Sequence, residues 1–230
     1  VSKEFNNGKG VTLDGLVSNA LIGGTEVGQG NVFRGLTDSA ILVLEKEYKN
    51  ENYIATPTQN TILGNSISAI NISGKTPSVG TSSIDFLHGI DISNPSDFVL
   101  DEFWKIDPID SSKYLYPPKV NSALFQPENI LNVSIDVNSM ESTSGLYRIE
   151  FFLQHKSTKQ LDNAGEIFIG SINTKNGSNI SGTINLTNIS SLEGVNLNEF
   201  LVTATITPHD ATSFSQYGAT SKFSKAVNIK

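Results

Sequence analysis

The chain has 230 residues, enough for one large β domain or two smaller ones, and its net charge is −7. That charge argues against nucleic acid or an anionic membrane as a partner, because both favour a concentrated basic surface. The chain holds only two arginines, Arg34 and Arg148, so bidentate phosphate recognition is poorly supplied, and it has no cysteine, which excludes disulfides and thiolate metal sites.

Short apolar pieces separated by Gly and Asn corners follow one another from Val11 to about Ile92. The pieces are VTL, NALIGG, GNVFRG, AILVL, NTILGN, INISG and GIDIS. They are too short for the meander of a β-sandwich and too repetitive for loops, so they predict a solenoid with several corners in each coil. The longest apolar run, Ala40–Leu44, is far too short to span a membrane.

The charged stretch Leu44–Tyr53 is the one candidate for a helix in this half. It lacks an apolar stripe at helical spacing, which favours a strand end followed by a loop.

The stretch LIGGTEVGQGNVFRG, Leu21–Gly35, raises the question of a phosphate-binding loop. A dinucleotide fingerprint needs a third glycine and a following helix, but Phe33 stands at the third position and a strand pattern follows. No Gly-Lys-Ser/Thr directly follows the stretch, as a Walker A loop would need. The glycines therefore indicate tight corners, and Asn19 and Asn31 are suited to left-handed backbone or to ladders of stacked asparagines.

An irregular, acidic stretch from Thr81 to Tyr116 leads to the proline pair Pro117–Pro118. Proline cannot continue a hydrogen-bonded ladder and it stiffens a connection, so we place a domain boundary here. The predicted domains are residues 1–118, the end coils with a capping linker, and residues 119–230.

Longer alternating pieces occupy Ile130 to Ile229 and predict an antiparallel β-sandwich. They are ILNVSIDV, LYRIEFFLQ, EIFIGSINT, ISGTINLT, FLVTATIT and FSKAVNI. In RIEFFL and TATIT one face is apolar and the other polar or charged, which predicts a sheet with one side in water.

Acidic residues around Trp104 form the best candidate for a metal site. Calcium binds six to eight oxygen ligands, usually on a loop, and carboxylates supply them. EF-hand and nonapeptide-repeat spacings are absent, and a solvated acidic linker is the alternative. The predicted calcium ligands are Asp91, Asp97, Asp101, Glu102, Asp107 and Asp110. A second candidate lies at Asp162, Asn163 and Glu166, in the turn before EIFIGS.

Aromatic residues share the same stretch and could form a platform on which a sugar stacks. Sealing the interface between two domains is the more frequent role of such residues. The predicted ligand-binding residues are Trp104, Tyr114 and Tyr116, with Phe98 and Phe103 beside them.

Several of these motifs, in order, resemble a family of bacterial surface proteins that are right-handed parallel β-helices with "NTIGG…GNVISGN" repeats. NALIGGTEVGQGNVFRG and NTILGNSIS are similar to two coils of that family. GIDIS, followed by YPPKVNSA at Tyr116–Ala123, resembles its exit from the helix. YRIEFFLQ, GEIFIGS, FLVTATIT and TSKFS are similar to the Ig-like sandwich that often follows.

The resemblance implies an all-β chain, with the C-terminal coils of a right-handed parallel β-helix followed by an Ig-like antiparallel β-sandwich. It implies a secreted or cell-surface protein with an adhesive or structural role, and a chain that is a piece of a longer protein with further coils upstream. Glycans or another surface protein are the candidate partners. The acidic stretch around Trp104, and not the resemblance, makes calcium the candidate cofactor.

Two functions therefore stay open: a non-catalytic surface module, or the end of a polysaccharide-active lyase or glycosidase. The enzyme needs acids and a base that converge on neighbouring coils. Few ionisable residues lie on the predicted coils, and the sequence gives no spacing that would bring an acid beside Arg34 on a neighbouring coil. These residues are Asp14, Arg34, Asp38, Glu45 and Glu47. His88, His155 and His209 are scattered without a recognisable triad.

Overall fold

The fold was determined as a computed structural model. The structure describes residues 10–14, 17–26, 28–33, 40–44, 46–48, 53–55, 60–67, 90–93, 116–138, 144–156, 165–187, 189, 192–209, 216–218, 220–221 and 223–230.

The N-terminal part consists of short strands. They are β1 (Val11–Asp14), β2 (Leu21–Gly23), β3 (Val32–Phe33), β4 (Ile41–Leu44), β5 (Lys46–Tyr48), β6 (Tyr53–Ala55), β7 (Thr61–Leu63), β8 (Ser66–Ile67) and β9 (Ile90–Ser93). β5 and β6 form an antiparallel hairpin, so the preference for strand over helix in the charged stretch is confirmed.

The remaining strands pair in parallel, in the order in which they follow along the chain. We call β1, β2 and β3 the first pass, and β4, β7 and β8 the second pass. β1 pairs with β4, β2 with β7 and β3 with β8, and β9 adds a further parallel strand to β4. The second pass therefore lies on the first, strand on strand.

The C-terminal part has longer strands in two antiparallel sheets. They are β10 (Lys119–Gln126), β11 (Ile130–Val137), β12 (Tyr147–His155), β13 (Ile167–Thr174), β14 (Gly177–Asn185), β15 (Phe200–Pro208) and β16 (Val227–Asn228). A three-stranded sheet has the order β10-β11-β14, and a four-stranded sheet has the order β13-β12-β15-β16. Strands were predicted at all of these places except β10.

The structure gives bounds for two 3₁₀ turns, Pro127–Asn129 and Leu197–Glu199, and the described residues contain no α-helix. No helix in the described part of the chain is long and apolar enough to cross a membrane. The all-β class predicted from the sequence is confirmed.

Apolar side chains of the two C-terminal sheets share one core. On β12 this inner face carries Ile149, Phe151 and Leu153, and Val133 and Ile135 of β11 belong to the same core. The period-two alternation of the strands produces this arrangement, because every second side chain points to the same face of a sheet.

The opposite face of the four-stranded sheet is buried, and the prediction that it lies in water is wrong. We call it the outer face, and it carries Arg148, Glu150, Phe152 and Gln154 of β12 with Thr203, Thr205 and Thr207 of β15. All of these side chains are buried, and Glu150, Thr203 and Thr207 have no exposed surface. The N-terminal strands provide the cover that the sequence pattern did not reveal.

A second apolar cluster joins this outer face to the N-terminal strands. It contains Leu13, Ile41, Ile62 and Ile67 from the two passes together with Phe152, Phe168 and Phe223. The ring of Phe152 lies 5.5 Å from that of Phe168 and 5.1 Å from that of Phe223, between centroids. The two parts of the chain therefore share a core as well as a backbone.

Candidate functional site

Gly23 and Gly28 of the Leu21–Gly35 stretch lie at corners, as predicted. Gly23 has a φ of 93° and Gly28 a φ of 87°, and Asn19 adopts left-handed backbone with a φ of 56°. A Cβ on Gly23 would collide with the carbonyl oxygen of Leu63 in the second pass. Gly23 therefore serves both the turn and the close approach of the two passes.

Asparagines connect the two passes at the corners beside β7. Asn65 Oδ1 accepts hydrogen bonds from the backbone N and from Nδ2 of Asn31, each at 3.0 Å, and Asn65 Nδ2 donates to the Ile22 carbonyl at 2.8 Å. Asn60 does the same at the other end of β7, accepting from Ala20 N and donating to Val17 O. The predicted stacking role of Asn31 is confirmed.

The outward edges of β7 and β8 are covered by the C-terminal part. Thr61 N donates to Ala20 O in the first pass, so the next amide, Ile62 N, points away from it and donates to Thr220 Oγ1 at 2.8 Å. On β8, Ile67 N donates to the Gly165 carbonyl at 2.6 Å. Unpaired strand edges invite pairing with other chains, and here side chains and a loop carbonyl occupy these positions.

Thr61 extends the same contact through its side chain. Its hydroxyl donates towards the carbonyl oxygens of Tyr217 at 2.8 Å and Gly218 at 2.9 Å, and Thr220 N donates to the Asn60 carbonyl at 3.2 Å. Thr61 and Thr220 are both buried. We call this buried, hydrogen-bonded contact between the second pass and the C-terminal part the junction.

An ion pair lies at the centre of this junction. Arg148 Nε donates to Glu150 Oε1 at 2.9 Å, and Gly64 N donates to Glu150 Oε2 at 2.7 Å. Arg148 Nη2 donates to the Thr25 carbonyl at 2.7 Å. The pair thus connects the outer face to a corner of the first pass and to a corner of the second.

Burial dominates the protonation of this carboxyl. Removal from water raises the pKa of Glu150, and the Gly64 amide and the Arg148 guanidinium oppose that rise. A buried ion is tolerated only when its partners satisfy it, so Glu150 depends on both donors being in place.

His209 and Tyr217 border the same ion pair. Their ring centroids are 4.7 Å apart, and the guanidinium carbon of Arg148 lies 6.0 Å from the centroid of the Tyr217 ring. Burial, followed by the positive charge of Arg148, lowers the pKa of His209. The lowered pKa favours the neutral imidazole, whose Nε2 lies 3.4 Å from Asn173 Oδ1.

An open groove of about 850 Å³ lies elsewhere on the C-terminal sheets. Apolar residues such as Phe125, Leu192 and Ile229 line it, and the only charged residues among its described lining are Glu193 and Lys230. Such a lining offers no convergent set of groups for acid–base chemistry.

Most residues of the predicted calcium site lie outside the described part: Asp97, Asp101, Glu102, Asp107 and Asp110. For Asp91 the structure describes only the backbone, in β9 opposite Leu42. In the second candidate, Glu166 N donates to the Leu153 carbonyl, while Asp162 and Asn163 are not described. The residues that the structure describes contain no group of three or more acidic or histidine side chains suited to a metal.

The predicted aromatic platform is equally untested. Tyr116 is exposed, with 58% of its surface accessible, while Phe98, Phe103, Trp104 and Tyr114 lie outside the described residues.

Of the residues considered for catalysis, Arg34, Asp38, Glu45 and His88 are also outside the described residues. Asp14 and Glu47 are described by backbone alone, in β1 and β5. His155 packs edge-on against Phe200, with its Nε2 3.4 Å from Glu199 Oε2.

Sequence reasoning missed the Arg148–Glu150 pair and its junction. The signal available was the scarcity of arginine, since one of the two arginines stands two residues from a glutamate in a strand that is rich in apolar residues. A charged pair on one face of such a strand indicates that this face either lies in water or contacts a specific partner. Local sequence does not distinguish these two possibilities.

No protein-family model, curated protein or solved structure matches this chain.

Proposed function

We propose that this chain is a non-catalytic structural or adhesive module of a secreted or cell-surface protein. In this proposal the N-terminal strands are the end coils of a right-handed parallel β-helix, and the C-terminal sheets are an Ig-like sandwich that closes the stack. Its expected partners are a glycan or another surface protein, together with further coils of the same polypeptide.

The single observation that carries the proposal is the coverage of the β7 and β8 edges by the outer face. Parallel pairing of each strand of the second pass with its counterpart in the first is the pattern expected of stacked coils. A stack of this kind needs its open end protected, and Thr220, Glu150 and Gly165 supply acceptors to the outward amides.

Among the described residues, the buried polar side chains named above make structural contacts. The asparagines, the threonines and the ion pair of the junction all satisfy backbone groups or each other. This use of polar residues supports a scaffold over an enzyme.

The test is a panel of polysaccharides incubated with the purified chain. We expect that the chain releases no reducing ends or unsaturated products, whether or not it retains a glycan. Product release that scales with protein concentration would overturn the proposal in favour of a lyase or glycosidase. Substitution of Arg34 by Gln, which removes the candidate base, would then have to abolish that release.

We further propose calcium binding by the acidic stretch around Trp104. A ligand that binds only the folded state stabilises it, so calcium at a hundredfold excess over its Kd should raise the Tm by roughly 5 to 10 °C. A Tm that is unchanged by both calcium and EDTA contradicts this cofactor.

A further inference from the structure

We propose that the outer face of the four-stranded sheet is a recognition surface for the edge of a parallel strand stack, and that Glu150, held by Arg148, sets the register of that contact. The partner is the second pass of this same chain. The inference concerns how the two parts are held together and does not depend on the surface role proposed above.

The first argument is chemical matching along the edge. The outward amides of the second pass meet three acceptors in turn: Ile62 N meets a hydroxyl, Gly64 N a carboxylate and Ile67 N a carbonyl. Thr220 and Glu150 are both buried, so each hydrogen bond replaces water that cannot enter. A face that provides these acceptors at these positions is suited to a strand edge.

The second argument is that each oxygen of the buried carboxylate has one donor. One oxygen takes Arg148 Nε and the other takes Gly64 N. Gly64 has a φ of 62° at the corner that ends β7, so its amide is aimed by a turn rather than by strand repetition. A shift of β7 by one residue would remove this amide and leave a buried carboxylate short of a donor, which is a heavy penalty.

The third argument is that Arg148 links Glu150 to the first pass. It pairs with Glu150 on its own strand while Nη2 donates to the Thr25 carbonyl of the first pass. The planar guanidinium can donate in both directions, whereas a lysine ammonium is a single point. Arg148 thus positions Glu150 and ties the face to the corner below the second pass.

A matched control stands directly opposite Glu150 in the sheet. Thr205 is its cross-strand neighbour on β15 and is also buried. Its Oγ1 has no hydrogen-bond partner among the described residues. The substitution Thr205→Val therefore alters the same face at the same depth and removes none of the three hydrogen bonds to the second pass.

The first experiment measures amide hydrogen exchange in the full chain carrying Glu150→Gln, Arg148→Lys or Thr205→Val. A glutamine presents one amide group to two donors, so exchange at Gly64 should be about tenfold or more faster in Glu150→Gln. Arg148→Lys should give a smaller increase, and Thr205→Val should stay within about twofold of the wild type. Amides of β11 serve as an internal reference.

Equal exchange at Gly64 in the wild type and in the Glu150→Gln variant would overturn the inference. If Glu150→Gln does not fold, Arg148→Lys decides: unchanged exchange at Gly64 in that variant overturns the inference equally.

The second experiment cuts the chain at a protease site inserted between Ser93 and Tyr116. The two pieces of the wild type and of Thr205→Val should elute together in size-exclusion chromatography, while those of Glu150→Gln should separate at lower total concentration. Separation of the wild-type pieces at every concentration, or equal retention in all three proteins, would overturn the recognition role.

Discussion

Asn65 shows how much one buried amide contributes to the stacking of the two passes. It is 2% exposed and makes three hydrogen bonds to the first pass. Asn65 itself is buried and its hydrogen bonds to the first pass are part-buried, so loss of the amide leaves backbone groups of the first pass with poorer partners.

We expect Asn65→Ala to lower the free energy of unfolding by about 2 to 4 kcal/mol in urea titrations. The control is Asn132→Ala, which removes one exposed hydrogen bond, to Thr183, and should cost less than about 1 kcal/mol. Equal costs in the two variants would contradict the role of Asn65 in stacking.

Asp136 illustrates an electrostatic contribution at the residue scale. The backbone amide of Asn179 first, then the side chains of Asn121 and Lys119, hold the pKa of this carboxyl below its ordinary value of 3.8. A lowered pKa means that ionised Asp136 favours the folded state. That contribution is present above the ordinary pKa and is lost as the pH falls through the lowered value.

We therefore expect the Tm of Asp136→Asn to lie below that of the wild type at pH 5 to 7, and the two curves to converge in acid below about pH 4. Thermal melts across this range measure it. A difference in Tm that is independent of pH would show that the charge of Asp136 does not contribute.

At the scale of the element, the corner after β2 needs both a positive φ and a close approach to the second pass. Gly23 and Gly28 allow these two requirements to be tested separately. Gly23 and Gly28 both have positive φ. Among the described residues, a Cβ on Gly23 would meet the Leu63 carbonyl, whereas a Cβ on Gly28 would meet no atom within 4 Å. The conformational cost of a side chain is thus common to both positions, and the crowding is specific to one.

Gly28→Ala should cost about 1 to 2 kcal/mol of unfolding free energy, and Gly23→Ala at least about 2 kcal/mol more, because the second pass must move away. Chemical denaturation of both variants provides the measurement. If Gly28→Ala is as destabilising as Gly23→Ala, the passes are not packed as closely at this corner as the structure indicates.

For the whole molecule, the shared apolar cluster and the junction predict that the two parts unfold together. Burial of a side chain such as Ile62 or Phe152 contributes about 1.5 to 3 kcal/mol, and the second cluster takes such residues from both parts. When one part unfolds, the other loses the residues that complete the second apolar cluster.

We expect amides of β7 and β12 to reach the same free energy of opening in native-state hydrogen exchange, as in one cooperative unit. Amides of β14, at the edge of the three-stranded sheet, serve as a reference for local opening. A β7 that opens at much lower free energy than β12 would show that the N-terminal strands form a separate unit.

The sequence by itself determined the all-β class and the positions of most strands. Period-two alternation, β-branched residues and Gly or Asn corners act over a few residues, so Ile149 and Phe151 could be placed in a core and Gly23 and Asn31 at corners. These features depend on backbone conformation and on neighbours along the chain, which a single sequence reports directly.

Only the tertiary structure decided what covers the polar face of β12. Alternation in RIEFFL shows that the two faces differ, and it does not say whether the polar one meets water or another part of the protein. The second donor to Glu150 is the amide of Gly64, which lies 86 residues away along the chain. This amide can donate to the buried carboxylate only because the corner after β7 directs it there. A buried charge is stable where long-range folding supplies its partners, and those partners leave no local mark in the sequence.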